Sequence, residues 1–414
     1  MIEWSESHLM VRDMVRRFVD TEIVPHLEEL EHGDMPPYDI LRKLMGTLGV
    51  TDAARARYEA QKQKALAGEG GDDAGAARKN GGGLDPGDAA AFQMIPIMEL
   101  SRYCPGMVTA LGVSMGLTAG AIMAKGTWAQ KDRWALPVLT LDKIGAWAIT
   151  EPGSGSDAFG SMKSVARKDG DDYVINGQKT FITNGPYADT IVFICKLDRG
   201  EQDARDRQVV SFILDRGMEG LAQTKPLRKM GMHSSPTGEL FLDNVRCGRD
   251  RLMGESEEAS GGRSGAKATF GAERSGVVAM AFGIVDRCIE LCTEYARTRV
   301  QFGKAIGDFQ LIQLKLAKMQ VARMNLQNMI FRQIEMTAQG KSLSFAEASA
   351  NKLYAAQATM ECTLEAVQLF GGNGYMAEYQ VEQLCRDAKV LQIYGGTDEI
   401  QISPIARSML ADGD

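Results

Sequence analysis

This sequence of 414 residues has only four histidines, no cluster of basic residues and no regular spacing of its cysteines. Its net charge of −7 at pH 7 and the lack of a basic stripe argue against a nucleic-acid surface, because phosphate binding depends on clustered Lys and Arg. The seven cysteines are odd in number and scattered along the chain, which indicates reduced thiols rather than a disulfide framework.

Signals for export or for a membrane are also weak. The first residues, Met1 to Glu6, lack a basic head and an apolar core, so no signal peptide is predicted and the protein is expected in the cytoplasm. The stretch from Cys104 to Ala124 carries no charge, but it is rich in Gly, Ser and Thr and isolated among amphipathic segments. A buried core helix, rather than a membrane span, is the favoured interpretation.

Metal-binding and hydrolase patterns are missing too. Cys288 and Cys292 lie four residues apart on a predicted helix and could bind a metal with two more ligands, but no other Cys/His pair has metal-ligand spacing. Incidental helix cysteines are favoured, and no metal is predicted. The four histidines lie outside the motifs described below, which disfavours a Ser-His-Asp hydrolase; they are residues 8, 26, 32 and 233.

Three zones of different periodicity follow one another and predict an α+β protein. From Ser5, apolar residues recur up to Val19 with the spacing of an amphipathic helix, and further helices follow to about residue 141. Short β-rich runs, such as those starting at Thr180 and Ile191, alternate with turn clusters and predict a small antiparallel β domain. From about Phe270 the helical period returns in long segments, typical of a C-terminal helical bundle. The predicted domains are residues 1–141, 142–254 and 255–414.

Two segments are predicted to lack a packed core. Residues 68–88 are rich in glycine and acids, which leaves little apolar surface to bury, so we expect a mobile surface insertion there. Residues 254–267 are rich in Gly, Ser and Glu and are predicted to link the β domain to the last bundle.

A glycine-rich motif, Gly153-Ser-Gly-Ser-Asp-Ala158, formally matches the dinucleotide-binding fingerprint G-x-G-x-x-A. That fingerprint requires a strand before it and a helix that opens directly after it. Here Pro152 precedes the motif and β-type sequence follows, so a dinucleotide site of this kind is disfavoured.

Two separate motifs together resemble the signatures of the acyl-CoA dehydrogenase family. The first runs Thr150-Glu-Pro-Gly-Ser-Gly-Ser-Asp157, and the second, far downstream, runs Gln392-Ile-Tyr-Gly-Gly-Thr-Asp-Glu-Ile400. The resemblance covers nearly all of residues 1 to 410 and implies a FAD enzyme that introduces an α,β double bond into an acyl thioester. In that family the flavin lies across a β domain, between two helical domains.

The resemblance implies cofactor and substrate contacts in the β domain. Phe181-Ile-Thr-Asn184 matches the family's second flavin-contacting strand, usually Trp-Ile-Thr-Asn, and Thr183 keeps the hydroxyl placed near the reactive flavin nitrogen. Phe181 in place of Trp keeps an aromatic face but loses the indole donor. Around the first motif the implied flavin contacts are Trp147, Ile149 and Thr150, and Ser156 lies at an acyl-CoA contact.

Further segments match the parts of the family that reach a neighbouring subunit's FAD. Arg299-Val-Gln-Phe-Gly303 resembles the R-x-x-F-G segment, in which the arginine binds the pyrophosphate and the phenylalanine packs near the adenine. A guanidinium suits a pyrophosphate because its fork donates two parallel hydrogen bonds. These half-sites imply a homotetramer arranged as a dimer of dimers. The implied contacts are Arg299, Phe302, Gln310, Gln368 and Gly372, and Thr397 and Glu399 complete the cofactor side.

The second motif departs from the family pattern at the position of the catalytic base. Many members carry a glutamate after the tyrosine that corresponds to Tyr394, whereas this chain has Gly395, which can supply only a backbone N–H for the oxyanion. A minority, the isovaleryl- and long-chain acyl-CoA dehydrogenases, carry the glutamate on the first helix of the last bundle, at the position of Glu273. The resemblance therefore implies Glu273 as the base and Tyr394, Gly395 and Arg274 as substrate-side residues.

Helical periodicity points to the same glutamate independently. Glu273 stands four residues before Val277 and begins an apolar stripe that continues at 280, 281 and 284, so it is predicted on the buried face of its helix. An apolar site raises the pKa of a carboxyl toward the working pH, as a general base requires. The alternative interpretation is a first-turn glutamate favoured by the helix dipole.

The expected reaction is FAD-dependent dehydrogenation of an acyl-CoA to the trans-2-enoyl-CoA. Glu273 removes the α-proton, the β-hydride passes to flavin N5, and an electron-transfer flavoprotein accepts the electrons. A dehydrogenase of an acyl or aminoacyl group on a carrier protein would use the same base position. From another class, a catalytically silent scaffold or an oxygen-using relative stays open.

Overall fold

The computed structural model of the protein describes residues 2–33, 35–68, 85–200, 203, 205, 207–258 and 263–411. In the helix that begins at Arg263, side chains are described for Arg274 and from Gly276 onward. The described chain forms an N-terminal group of helices, a middle β sheet and a C-terminal helical bundle. The predicted fold class is confirmed.

The first helix shows how the local sequence specifies the N-terminal region. Helix α1 (Glu6–Phe18) starts at Ser5, whose hydroxyl accepts the His8 N–H at 3.3 Å while the Ser5 N–H donates to His8 Nδ1 at 3.2 Å. This reciprocal capping satisfies two N–H groups at the helix start. Val15 and Phe18 are buried, as the apolar stripe predicts. The next helices are α2 (Leu27–His32), α3 (Tyr38–Thr47), α4 (Val50–Leu66), α5 (Pro86–Ser101), α6 (Pro105–Leu111), α7 (Gly120–Lys125), α8 (Trp128–Gln130) and α9 (Leu136–Leu139), with π-helical segments at Val19–Ile23, Gly112–Ala119 and Lys131–Ala135.

The stretch Pro105–Lys125, uncharged up to Ala124, is helical throughout and includes the π-helical segment Gly112–Ala119. By length and composition it is the one helix among the described residues that could cross a membrane. It packs on the first strand of the sheet: Ser114 Oγ accepts the Gly145 N–H at 2.9 Å, and a Cβ on Gly145 would lie 2.8 Å from Thr118. Its first turns are buried, and 39% of its most apolar window is buried, so the helix is buried in part and the core-helix interpretation stays a prediction.

The middle region is a mixed β sheet with an apolar core of its own. Its strands are β1 (Gly145–Ala148), β2 (Val165–Asp169), β3 (Asp172–Thr183), β4 (Thr190–Asp198), β5 (Val209–Asp215), β6 (Leu221–Gln223) and β7 (Thr237–Cys247). They lie in the order β1-β4-β2-β3-β7-β6, with β5 paired to β4. Four pairings are antiparallel, as predicted, and β1 and β2 each run parallel to β4. The parallel pairings were not foreseen because β1 and β2 lack a long run of β-branched and aromatic residues.

The C-terminal bundle shares one apolar core with the N-terminal helices. The predicted stripe of its first helix is buried at Val277, Met280, Ala281 and Ile284. This shared core holds the two helical regions together beside the sheet. The elements are α10 (Arg263–Thr298), the hairpin of β8 (Val300–Gln301) and β9 (Lys304–Ala305), α11 (Gln310–Ala338), α12 (Phe345–Phe370), α13 (Val381–Lys389) and α14 (Asp398–Leu410).

Ion pairs reinforce the contact between the two helical regions. Arg102, just after α5, donates to Asp286 and Glu290 on α10, and Arg16 Nη2 on α1 lies 3.9 Å from Asp286 Oδ2; within the N-terminal helices, Arg16 Nε donates to Glu99 Oε2 on α5 at 2.7 Å. Glu99 and Arg102 are buried. The Arg102–Asp286 pair is largely buried, and removing one partner of a buried ion pair costs about 3–5 kcal/mol, so this pair helps to fix how α10 sits against the N-terminal helices.

The two segments predicted to be loose have different outcomes. Of residues 68–88, residues 69–84 lie outside the described part of the chain, and 86–88 form the first turn of α5, where Asp85 accepts the Gly87 N–H at 2.9 Å. Of residues 254–267, residues 263–267 already belong to α10. The linker before the bundle is therefore shorter than its composition indicates.

Candidate active site

Two elements of the sheet bring the predicted flavin-contacting segments together. The loop after β1 is joined to β3 by a backbone hydrogen bond from Thr180 N to Thr150 O at 2.9 Å. Near this bond, Trp147 and Ile149 are half-buried on one segment, and Thr183 is half-buried on the other. The predicted contacts Trp147, Ile149, Thr150, Phe181 and Thr183 thus lie in one region of the sheet.

Phe181 has a strained backbone, and its ring is exposed. Its φ is +56°, and 69% of the residue is exposed. The pairing of β3 with β7 shifts register between Lys179 and Ile182, and such a bulge re-aims a side chain. Asn184, buried at φ +63°, fixes the strand end by donating from Nδ2 to Gly145 O at 2.9 Å. A left-handed non-glycine residue costs about 1–2 kcal/mol, and such residues cluster at ligand sites.

A buried ion pair that sequence reasoning missed ties the same two segments together. Lys179 Nζ, fully buried on β3, donates to Ile149 O and to Glu151 Oε1, both at 2.9 Å. The Glu151 carboxylate also accepts the N–H groups of Lys163 at 2.6 Å and Ser164 at 2.9 Å. Burial acts to raise the pKa of Glu151, but Lys179 and the N–H donors outweigh it, and the pKa lies below its usual value. The available signal was a lysine directly before the predicted β run that starts at Thr180.

The loop of the first motif folds back on itself and leaves Ser156 exposed. Ser154 is buried; its Oγ donates to Asp157 O at 2.8 Å, and its backbone pairs with Glu151. After Ala158 the chain continues in turns rather than in a helix. The motif therefore lacks the helix that a dinucleotide fingerprint requires.

The second motif forms a tight turn that presents a backbone donor. Gly395 and Gly396 have φ values of +62° and +93°, a region that favours glycine. Within the described part of the chain, no acceptor receives the Gly395 N–H. The neighbouring Tyr394 is half-buried, and its hydroxyl donates to Met280 Sδ on α10 at 3.4 Å. The Gly395 N–H, fixed by the tight turn and without an acceptor among the described residues, is suited to stabilise an oxyanion.

Arg274 on α10 is buried beside this turn. Its Nη1 donates to Ser349 Oγ at 2.9 Å, and its guanidinium carbon lies 4.2 Å from the ring centroid of Phe345. A Cβ on Gly396 would lie 3.7 Å from Arg274 Nη2. The structure therefore brings together Arg274 and the turn of the second motif, two elements predicted on the substrate side.

The predicted base, Glu273, belongs to α10, but its side chain lies outside the described side chains. Positions four apart share one face of a helix, and Val277 is buried. The next residue, Arg274, reaches the turn that contains Gly395 and Gly396. The role of Glu273 stays a prediction.

The residues predicted to reach a neighbouring subunit's cofactor lie at one end of the C-terminal bundle. There the ring of Tyr295 on α10 stacks on Phe370 at the end of α12, with centroids 4.1 Å apart. Phe302, 93% exposed at φ +52°, has its ring centroid 6.1 Å from that of Phe309, directly before α11. The five residues predicted to reach the neighbour's cofactor are all exposed, and we call them the exposed group: Arg299, Phe302, Gln310, Gln368 and Gly372.

Thr397 and Glu399, the remaining cofactor-side residues, lie at the start of α14. Thr397 is the N-cap, and its Oγ1 accepts the Ile400 N–H at 3.4 Å. Glu399 is exposed, and hydrogen bonds from its own N–H and from Thr397 hold its pKa below the usual value. The structure thus gives Thr397 a capping role that is compatible with a ligand contact but does not require one.

The cysteines on α10 are core thiols. Cys288 and Cys292 are fully buried, and burial raises the pKa of Cys292 to about 12. Across the described residues, no group of three or more His, Cys, Asp and Glu side chains is arranged to hold a metal ion.

Comparison with known proteins matches the whole architecture. Family models of acyl-CoA dehydrogenases match in three parts: the N-terminal domain at residues 5–58 and 54–142, the middle domain at 146–245 and the C-terminal domain at 260–410. The chain is 32% identical over 393 residues to a short-chain specific acyl-CoA dehydrogenase of Megasphaera elsdenii, with 95% of each chain covered. The solved butyryl-CoA dehydrogenase from Megasphaera elsdenii has a TM-score of 0.83 at 30% identity, covering 99% of this chain and 100% of that one.

Three further similar proteins have names that bear on cofactor, partner and substrate. Subunit CarC of the caffeyl-CoA reductase-Etf complex of Acetobacterium woodii is 31% identical over 410 residues, 98% of this chain and 99% of that one. A glutaryl-CoA dehydrogenase from Mycobacterium smegmatis in complex with FADH2 has a TM-score of 0.82 at 25% identity, covering 99% and 96%. The prolyl acyl carrier protein oxidase AnaB has a TM-score of 0.81 at 26% identity, covering 98% and 100%.

The order of helical, β and helical regions, with both motifs in place, defines a three-domain oxidoreductase. The chain belongs to the acyl-CoA dehydrogenase family. Members of this family are FAD-binding flavoproteins, and acyl-CoA dehydrogenation is their general activity. The residues of this chain fit FAD: Phe181 offers an exposed aromatic face on a strained strand, and Arg299 offers an exposed guanidinium for a pyrophosphate.

Proposed function

We propose that the protein catalyses FAD-dependent α,β-dehydrogenation of an acyl-CoA thioester to the trans-2-enoyl-CoA, with Glu273 as the base. The turn of the second motif carries this proposal. Gly395 has no carboxylate, and among the described residues its N–H has no acceptor. The base must then come from another element, and Arg274, next to Glu273, packs against that turn.

The reaction needs a carboxylate in an apolar site and a donor for the developing enolate oxygen. Glu273 takes the α-proton of the thioester, since position 273 stands one helical turn before the buried Val277 and a general base needs a place beside the substrate. The Gly395 N–H binds the thioester oxygen. FAD, when bound, supplies the two-electron acceptor for the β-hydride, so one C–H bond breaks at each carbon and a C=C bond forms.

Two groups of residues are proposed to hold FAD from two different subunits. The β-domain group supplies the face for the ring system, and Ser156 contacts the acyl-CoA. The exposed group at the end of the bundle contacts the FAD of a neighbour, which its exposure supports. A site shared in this way needs at least two subunits, and the proposed assembly is a homotetramer built as a dimer of dimers.

An electron-transfer flavoprotein is the proposed electron acceptor, with the cytoplasm as the proposed location. Support for the acceptor comes from CarC, whose name places that relative in a complex with Etf. The proposal for this chain is that electrons leave the reduced cofactor to such a partner rather than to oxygen.

A carrier-bound thioester is the second candidate substrate. The prolyl acyl carrier protein oxidase AnaB shares the fold over nearly the whole chain at 26% identity, and it acts on a carrier-protein substrate by name. The α-carbon chemistry would be the same, and only the recognition of the thioester's carrier would differ.

A substrate panel tests the proposal. The holoenzyme is mixed with straight, branched and aromatic CoA thioesters and with carrier-bound acyl and prolyl thioesters, and the enoyl product is followed by mass spectrometry with Etf as acceptor. We expect turnover of at least one CoA thioester. Turnover of carrier-bound thioesters alone would favour the second candidate, and FAD-loaded protein that turns over none of them would contradict both.

A further inference from the structure

Three helices of the C-terminal bundle converge on the Gly395–Gly396 turn. Arg274 from α10 lies 3.7 Å (Nη2) from the Cβ position of Gly396, while Lys352 comes from α12 and Gln401 from α14. Lys352 and Gln401 are both fully buried, at 0% exposure. Lys352 Nζ and Gln401 Nε2 both donate to the turn of the second motif, while Gln401 Oε1 is buried without a hydrogen-bond partner among the described residues. Hydrogen bonds from buried donors are electrostatically strong, so these two side chains constrain the turn.

The ammonium group of Lys352 forms a hydrogen bond with the turn. Its Nζ donates to Gly396 O at 2.8 Å and lies 3.5 Å from Asp398 Oδ1. Asp398 also accepts from Gln392 Nε2 at 3.0 Å, so the same carboxylate links residues on both sides of the turn. Taking an ammonium group out of water costs several kcal/mol, and the carbonyl and carboxylate offset this cost only while the turn keeps its conformation.

The side chain of Gln401 on α14 forms hydrogen bonds with the same turn. Its Nε2 donates to Gly395 O at 3.1 Å and to Gly396 O at 2.8 Å. A Cβ on Gly396 would lie 2.7 Å from that nitrogen, so the contact depends on glycine. Buried donors thus satisfy both carbonyls, whereas the Gly395 N–H has no acceptor within the described ranges.

We propose that Lys352 and Gln401 are positioning residues, which lock the Gly395–Gly396 turn so that the Gly395 N–H stays directed at the thioester oxygen. This inference rests on the proposed function of the site. Neither side chain touches the substrate in this role. A donor that is oriented before the reaction stabilises the developing oxyanion without reorganisation. The contacts of Lys352 and Gln401 with the turn, called the turn lock below, should therefore affect kcat more than KM.

Variants on α12 separate this role from general stability. Lys352→Met removes the ammonium group at similar length, and Lys352→Gln is the conservative variant that keeps a donor. Thr359→Val is the matched control, because Thr359 is also fully buried but donates within its own helix, to Ala355 O at 2.6 Å.

Two readouts are taken on each holoenzyme. Hydrogen–deuterium exchange of the backbone of residues 391–397 is measured without substrate. Exchange of the thioester α-protons with D2O is followed by NMR, together with kcat and KM. In Lys352→Met we expect more deuterium uptake in this segment and α-proton exchange and kcat slowed by about 10- to 100-fold, with KM within about threefold of the wild type. Lys352→Gln should recover part of the rate, and Thr359→Val should match the wild type.

The outcomes separate the turn lock from the proposed function. If deuterium uptake in residues 391–397 is the same in Lys352→Met as in the wild type, Lys352 does not hold the turn, and the turn lock is overturned for any substrate. Raised uptake with unchanged α-proton exchange overturns the positioning role and supports the reaction itself. A wild type that exchanges the α-protons of no thioester contradicts the proposed function, and deuterium uptake then decides the turn lock alone.

Discussion

Replacing Lys179 with methionine should weaken the β domain and its hold on the cofactor. Lys179 is fully buried and donates to Ile149 O and Glu151 Oε1, both at 2.9 Å. Its loss leaves the Glu151 carboxylate, 5% exposed, with only the N–H groups of Lys163 and Ser164. Removing one partner of a buried pair costs about 3–5 kcal/mol.

Thermal melting followed by near-UV circular dichroism and by release of FAD fluorescence measures this effect. At roughly 1 °C per kcal/mol for a chain of this length, the expected fall in melting temperature is about 3–6 °C. Lys168→Met is the matched control, since Lys168 is exposed on the adjacent strand β2. Melting of Lys179→Met within about 1 °C of that control would refute the argument, because the pair would then contribute almost nothing to stability.

The deficit of Lys179→Met should also depend on pH. In the wild type the pKa of Glu151 is lowered, so its stabilising contribution is present above the unfolded pKa and is lost as pH falls through the folded pKa. Without Lys179, burial acts to raise the pKa of Glu151 against only the N–H groups of Lys163 and Ser164, so we expect the carboxyl to take up a proton at higher pH than in the wild type. The melting difference between variant and wild type should therefore shrink between about pH 7 and pH 5; a difference that grows over this range would contradict the assignment.

Three other variants test separate parts of the structure. Arg299→Ala should lower FAD retention and loosen the assembly together, because Arg299 is exposed in the group proposed to reach a neighbour's cofactor; a sedimenting monomer that keeps its FAD would contradict the shared site. Burial, with Glu31, raises the pKa of Asp387 to about 7, so the folded protein keeps a proton that the unfolded chain releases above about pH 4. That stability is present at low pH and lost as pH rises, so the melting temperature of Asp387→Asn should gain on the wild type from about pH 5 to about pH 7.5, and a constant gap would refute this. Gly396→Ala should cost about 1–3 kcal/mol, since φ is +93° and its Cβ would lie 2.7 Å from Gln401 Nε2. Gly46→Ala, in an open position of α3, should be neutral or stabilising, and equal melting of these two alanine variants would count against the turn geometry.

Local sequence patterns predicted the parts of the fold that depend on neighbours in the chain. The amphipathic spacing that starts at Ser5 corresponds to α1, and the stripe through Val277 and Ile284 is buried. Composition misjudged the start of α10, because Gly- and Ser-rich sequence there is helical from Arg263. Propensity is a weak prior that tertiary contacts override.

Only the parts of the candidate site that lie in recognisable sequence motifs could be predicted from the sequence. The two glycine motifs identified the strand region and the turn, and the structure joins Thr180 to Thr150 and places Arg274 beside Gly396. Lys179 and Lys352 were missed because their partners lie 28 and 44 residues away in sequence. A single buried lysine has no local pattern, so only the folded chain shows which carbonyl it holds.

The most direct test of the central claim is the rate of α-proton removal by Glu273→Gln, on a thioester that the wild type oxidises. We predict that FAD content and KM stay near the wild-type values while kcat falls by roughly two to four orders of magnitude, as expected for loss of a general base. Adding Gly395→Glu should restore part of the rate, because φ of +62° is open to a glutamate at a cost of about 1–2 kcal/mol. Near-normal turnover by Glu273→Gln would contradict the claim and remove Glu273 from the mechanism.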